Sequence, residues 1–141
     1  MQELDITAVL KGTSNLPIKI GELSQDIIDL LALNQKPRDI IMSIERIYHC
    51  DMHKNDYESI SSYDKSLKLI PEIIHSPDFI NLNTKNNSIN YIKKIDDLTL
   101  VAIKIVAKGS LQFRTMFPIT PQKLEYNLKL GKYLEVKKKS T

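Results

Sequence analysis

The stretch SINYIKKIDDLTLVAIKIVAKGSLQFRTMF, residues 88–117, decides the fold. Ile89, Tyr91 and Ile95 alternate with Asn90 and Lys94, the period of a strand with two unlike faces. Asp96-Asp97 reads as a turn. Leu98 to Val106 is rich in β-branched residues and reads as a central strand, broken only by Lys104. Lys108-Gly109-Ser110 makes a tight hairpin connection, and Leu111 to Phe117 alternates again. Three strands joined by short turns give an antiparallel meander.

Working outward, Thr120-Pro121 opens a helix, with Thr as N-cap and Pro in the first position. Leu124, Leu128 and Tyr126 line it, Gly131 stops it, and Tyr133 to Val136 reads as a last short strand. Upstream, Asn81 to Ser88 reads as one long Asn-rich turn. Before that turn the pattern is helical. Ser24 caps a helix with Ile27, Ile28, Leu30, Leu31 and Leu33 on its apolar side. A short strand, Ile40 to Met42, follows. Ser43 then caps a helix carrying Ile44 and Ile47 that reaches His49 and His53. A further helix holds Leu67, Leu69, Ile70, Ile73 and Ile74, entered through Pro71. Gly21 and Gly109 read as turns. The expectation is α+β, with N-terminal helices on an antiparallel sheet of about four to five strands. Residues 1–141 read as one domain, with 137–141 a frayed basic tail.

The single Cys50 excludes a disulfide framework and fits a reducing, cytoplasmic setting. No apolar run approaches the ~18 residues that span a bilayer, so no membrane contact is expected. The start, Met1 to Asp5, is acidic and predicts no secretory signal. Four glycines leave no room for a Walker loop, a dinucleotide fingerprint or a nucleophile elbow. The net charge of +3 hides a split. Residues 1–84 carry 8 Lys/Arg and 13 Asp/Glu, and residues 85–141 carry 12 and 4. A basic half of that kind suits a polyanion, or reflects solvated lysines alone.

His49 and His53 lie one helical turn apart and share a face. Three readings stay open for them. They are surface or half-buried histidines, a zinc pair with Asp51 or Asp56 as third ligand and nothing to mark a fourth, or a general acid and base. The zincin pattern fails, because Cys50 stands where Glu is needed. Lys104, inside a central strand, needs either an anion or an opening to solvent. Arg114 is the only arginine of the basic half and offers a fork of donors for phosphate, or a cross-strand ion pair. Thr115 beside it can hydrogen-bond a phosphate oxygen. Lys93 and Lys94 extend the basic surface. Tyr91 and Tyr126, with Tyr57, are candidate platforms for base stacking or edge-of-core residues.

The order of these motifs carries a resemblance. Tyr48-His49-Cys50-Asp51-Met52-His53-Lys54 comes first, then Leu69 to Ile80 with its Pro77-Asp78 turn. Ser88 to Ile95, the strand with Lys104, Phe113 to Ile119, and the helix with Lys123-Leu124-Glu125 and its Gly131-Lys132 stop complete the set. The chain resembles the phage-encoded nucleases grouped with barnase, EndoU, colicin tRNases and RelE, over about residues 16–136. That resemblance implies helices packed on a curved antiparallel sheet, and metal-independent RNA cleavage with no cofactor. It implies use as a toxin or effector in phage–host conflict. It maps the family's functional positions onto His53, with His49 beside it, and onto Lys104, Arg114 and Thr115. The implied substrate is RNA, with tRNA among the candidates, and the implied protein partner is an immunity or host protein. The alternative from another class is a non-catalytic phage protein of the same fold that inhibits a host defence protein or captures RNA.

Overall fold

The structure is a computed structural model that describes residues 17–137. The acidic start, Met1 to Asp5, and the basic tail from residue 138 onward lie outside the described residues. The chain runs β1 (Ile18–Leu23), α1 (Gln25–Leu30), β2 (Arg38–Met42), α2 (Ile44–Cys50) and a 3-10 segment (Asp51–Asp56). Then come α3 (Ile60–Lys68), α4 (Ile70–His75), β3 (Phe79–Asn83), β4 (Ser88–Lys94), β5 (Leu98–Lys104), β6 (Leu111–Pro118), α5 (Pro121–Lys129) and β7 (Leu134–Glu135).

The α+β class and the meander β4–β5–β6 hold. The sheet is larger than expected and is mixed rather than purely antiparallel. It has seven strands in the order β1-β2-β6-β5-β4-β3-β7. Two of the additional strands were hidden by composition. β1 contains Gly21, which is a strand residue and not a turn. It lies where the β1–β2 register shifts, and a Cβ there would meet Ile74 Cγ2 at 2.8 Å. Only glycine admits that approach of β1 to α4. β3 lies inside the expected Asn-rich turn. The turn contracts to residues 84–87, closed by Asn87 at φ 51°.

The β1–β2 hairpin joins the sheet through a short parallel pairing, Ile40 with Leu111 and Ile41 with Gln112. Arg38 reinforces that seam. Its guanidinium donates to the carbonyls of Val106 and Gly109, both at 2.7 Å, and so grips the β5–β6 connection. Beyond Gln112, β6 leaves this edge to α2 and the 3-10 segment, which pack against it.

The two sheet faces differ. One carries Ile80, Ile89, Tyr91, Val101, Ile103, Phe113 and Met116, all buried beneath α1 to α4. This is the main core, and desolvation of these side chains supplies the dominant stabilisation, about 25 cal/mol per Å² of apolar surface. On the opposite face the register sets residues in rows across four strands. The first row is Phe79, Ile92, Leu100 and Phe117. It forms a small second core with Leu124 and Leu128 of α5, Ile119 and Tyr133. The second row is Asn81, Asn90, Ala102 and Thr115, and the third is Asn83, Ser88, Lys104 and Gln112. These rows carry hydrogen-bonding groups and no carboxylate.

The helical elements largely follow their caps. Ser24, Ser59 and Thr120 accept from backbone N–H groups of the first turns of α1, α3 and α5. Ser43 starts α2 without a side-chain cap bond. The single expected helix over residues 67–74 is two, broken at Leu69 with Pro71 in the first turn of α4. Leu33 falls beyond α1.

Candidate nucleic-acid interface and histidine cluster

The 3-10 segment is held from three sides, and this fixes His53. Cys50, at its start, is fully buried, and desolvation pushes its thiol pKa up to about 12. The Tyr63 hydroxyl donates to the Asp51 carboxylate. Tyr57, at its end, is buried edge-on against Tyr63 with ring centroids 5.4 Å apart. Farther along, Asp97 in the β4–β5 turn accepts from the Ser62 hydroxyl and the Glu58 N–H, tying the start of α3 to the sheet.

His53 therefore projects from the open edge of β6, with 35% of its side chain exposed. Its Nδ1 lies 3.4 Å from Asp56 Oδ2. His49 meets it edge-on, with ring centroids 6.0 Å apart. On the sheet side the His53 ring packs at 6.0 Å on Phe117. The Lys123 ammonium sits 5.5 Å over the same Phe117 ring. Phe117 thus brings together two histidines from the acidic half and a lysine from the basic half.

Phe117 also lines a cleft of about 720 Å³ that extends from the open sheet face to Leu82 and Leu134 at the β3 edge and to Leu30, Leu31 and Ala32 at the end of α1. Asn81, Asn90 and Leu100 lie on its floor strands, Asn127 and Tyr133 form a wall, and Lys85, Lys123 and Lys132 are its cations. No Asp or Glu lines it. The charge split in the sequence shows itself here, although its boundary is the β3–β4 hairpin and not a switch from helices to sheet.

Lys104 lies away from the Phe117 ring on which His53 packs. Lys104 shares the sheet face with Thr115 and Phe117, but it lies four residues beyond Leu100, the partner of Phe117. That is about 13 Å along the strand at about 3.3 Å per residue. Its Nζ donates to the Asn86 carbonyl at 2.6 Å. Arg114 is the extra residue where the β5–β6 register shifts between Ala102 and Ile103. It is half-buried, and its side chain has no hydrogen-bond or ion-pair partner among the described residues. Thr115 lies between Phe117 and Gln112 on the open face, and its hydroxyl is buried without a partner.

Among the expected substrate contacts, Tyr91 is overturned. It is fully buried on the core face, so it cannot stack on a base. Tyr57 is buried too. Lys93 is occupied within the fold, donating to the Ser76 carbonyl at 2.8 Å and facing Asp78 at 3.7 Å. Lys94 is exposed, and its backbone N–H donates to Asp78. Tyr126 is exposed on α5, one turn from Lys123. The sequence reading missed Phe117, Lys123, Asn81 and Asn90 as site residues. Strict alternation from Leu111 and Phe113 puts Phe117 on the core face, and only the bulge at Arg114 turns it to the opposite face, whereas Asn81 needed the unrecognised β3. Among the described residues no three His, Cys, Asp or Glu side chains are grouped to hold a metal ion. No described helix is long and apolar enough to cross a membrane.

Fold and site together define an α+β protein with a histidine cluster beside a lysine-bearing cleft that no carboxylate lines. The chain belongs to the family described as phage-Barnase-EndoU-ColicinE5/D-RelE like nuclease3, whose model matches residues 18–126. It is therefore a nuclease-family protein of that type. No curated protein and no solved structure gives a match.

Proposed function

We propose that the protein is an endoribonuclease that works without a metal and cleaves RNA by attack of the 2′-hydroxyl. The observation that carries this reading is the Phe117 ring, which contacts both His53 and Lys123 and lines the acid-free cleft. The RNA backbone lies along the cleft, drawn by Lys85, Lys123 and Lys132. Asp56 accepts from His53 Nδ1, which leaves Nε2 to take the 2′-hydroxyl proton. The 2′ oxygen bonds to phosphorus and the bond to the 5′ oxygen breaks. His49, as the imidazolium edge-on to His53, protonates that leaving oxygen. The products are a 2′,3′-cyclic phosphate and a 5′-hydroxyl.

Charge builds on the phosphate oxygens between these steps. Lys123 is the cation placed to stabilise it, because it shares the Phe117 ring with His53. Lys104 takes a neighbouring phosphate, since its distance along β5 separates it from the scissile one. A phage or mobile-element toxin, acting on host RNA, fits this chemistry and the family.

The test is cleavage of a mixed-sequence RNA in EDTA, with product ends identified. Wild type yields cyclic phosphate ends. His53→Ala loses about 10²–10⁴-fold in rate, the usual contribution of a positioned proton-transfer group. Equal rates in both proteins, or RNA capture without cleavage, overturn the catalytic reading in favour of a binding protein.

A further inference from the structure

The cleft floor holds a pair of side-chain amides whose orientation the fold fixes. Asn81 and Asn90 are direct cross-strand partners on β3 and β4. The Asn81 Nδ2 donates to the Lys132 carbonyl at 2.8 Å, so its nitrogen must face that way. The Asn81 Oδ1 then accepts from the Asn90 Nδ2 at 2.9 Å. That chain of bonds leaves Asn90 with its Oδ1 as acceptor and one N–H as donor. Both residues are half-buried, so the pair is held at the base of the cleft and not on its rim.

What adjoins the pair suits a flat aromatic ligand. Asn90 is diagonal to Leu100 across the β4–β5 ladder, and Phe117 follows Leu100 one strand further, the part of the apolar row that reaches the cleft. On the next strand its cross-strand neighbour is Ala102, which is buried in the small second core with Ile119 and Tyr133 and does not line the cleft. Lysines rim the cleft and no carboxylate lines it. An apolar ledge, an amide with one donor and one acceptor, and surrounding cations match an unpaired nucleobase and its phosphates. The volume lies within the ~300–1,000 Å³ of small-ligand sites.

We propose that Asn90, oriented by Asn81, reads the edge of an unpaired base seated on the Leu100–Phe117 ledge, and so sets the sequence preference of the cleft. This rests on the nuclease reading for its cleavage arm only. Two measurements test it. In the first, cleavage sites are mapped on a single-stranded RNA library by wild type, Asn90→Ala and Asn90→Asp. Wild type prefers one base or base class at a fixed position, and both variants reduce that preference by about tenfold or more. Asn81→Ala moves it in the same direction by less. A wild type without base preference, or variants that keep the preference while total cleavage falls, overturns the assignment.

The second measurement does not need cleavage. All-2′-deoxy tetranucleotides, which lack the attacking hydroxyl, are titrated by fluorescence polarisation with one position varied through the four bases. Affinity that depends on the base in wild type and not in Asn90→Ala supports the base site even if no RNA is ever cut. Affinity indifferent to the base in wild type refutes it. Circular dichroism and melting of each variant show that the sheet is intact, and Asn90→Asp, nearly isosteric, serves where Asn90→Ala does not fold.

Discussion

Replacing Thr115 by Val separates what the protein needs for folding from what it needs for its chemistry. The Thr115 hydroxyl oxygen is buried and has no hydrogen-bond partner. Burying a hydroxyl without a partner costs about 1–3 kcal/mol. Valine keeps the β-branched shape and strand preference while removing that oxygen. Thr115→Val therefore stabilises the fold by about 1 kcal/mol, the lower end, because the residue as a whole is only half-buried. For a chain of 141 residues that raises Tm by roughly 3–5 °C. Activity moves the other way. Thr115 shares its sheet face with Phe117 and Lys104, and its hydroxyl, which no described group engages, can donate to a phosphate that reaches this face. Cleavage of RNA falls by about tenfold, the loss of one such hydrogen bond. Urea unfolding with global fitting of the slope, run beside a cleavage assay, reads both effects. A variant destabilised by 1 kcal/mol or more, or one that cleaves like wild type, refutes the reasoning.

Three further outcomes follow from particular contacts. The buried Cys50 thiol has its pKa raised from 9.0 to about 12, so the folded state holds that proton longer than the unfolded chain. Its contribution is intact below about pH 9 and is lost as the pH climbs towards 12, at about 1.4 kcal/mol per unit, as alkaline urea titrations will record. In native protein at pH 8 the same thiol resists Ellman's reagent until the chain is unfolded. Gly21→Ala forces a Cβ onto Ile74 at 2.8 Å and destabilises by about 1–3 kcal/mol; a loss under about 0.5 kcal/mol contradicts that packing. Removing Lys85 or Lys132 lowers the slope of log affinity against log salt for single-stranded RNA by about 0.7 each, whereas Lys65→Ala, paired with Asp96 outside the cleft, leaves it unchanged.

The meander was legible because its strands alternate and because β5 is apolar and carries Thr99, Val101 and Ile103 at every second position. β1 and β3 were not, since their local composition argues against strands. β3 places Asn81 and Asn83 on one face, and asparagine is a poor strand former whose presence here makes sense only when that face is open. The period of β4 already put Tyr91 with Ile89 on one face, which is the core face, so the stacking role conflicted with the pattern that defined the strand. His53 was identifiable from residue type and spacing. Its distance from Lys104 was not, because that depends on where β5 and β6 align and where the 3-10 segment meets their edge. The Asn81–Asn90 pair depends likewise on a register that no local pattern states.

The parallel seam between β2 and β6 has a bearing on the order of events at the ribosome. Ile40 cannot find Leu111 until more than seventy further residues have been made, and His53 cannot meet Phe117 until the chain has passed β6. Non-local pairing of this kind is slow, since the intervening loop must close before any contact rewards it. The nascent N-terminal hairpin waits with an unpaired edge, and the histidine cluster is among the last features to assemble. A chain interrupted before residue 111 thus lacks both the completed sheet and the machinery for harm. For a protein whose proposed activity destroys the RNA of the cell that makes it, the long connection acts as a delay that keeps unfinished copies harmless.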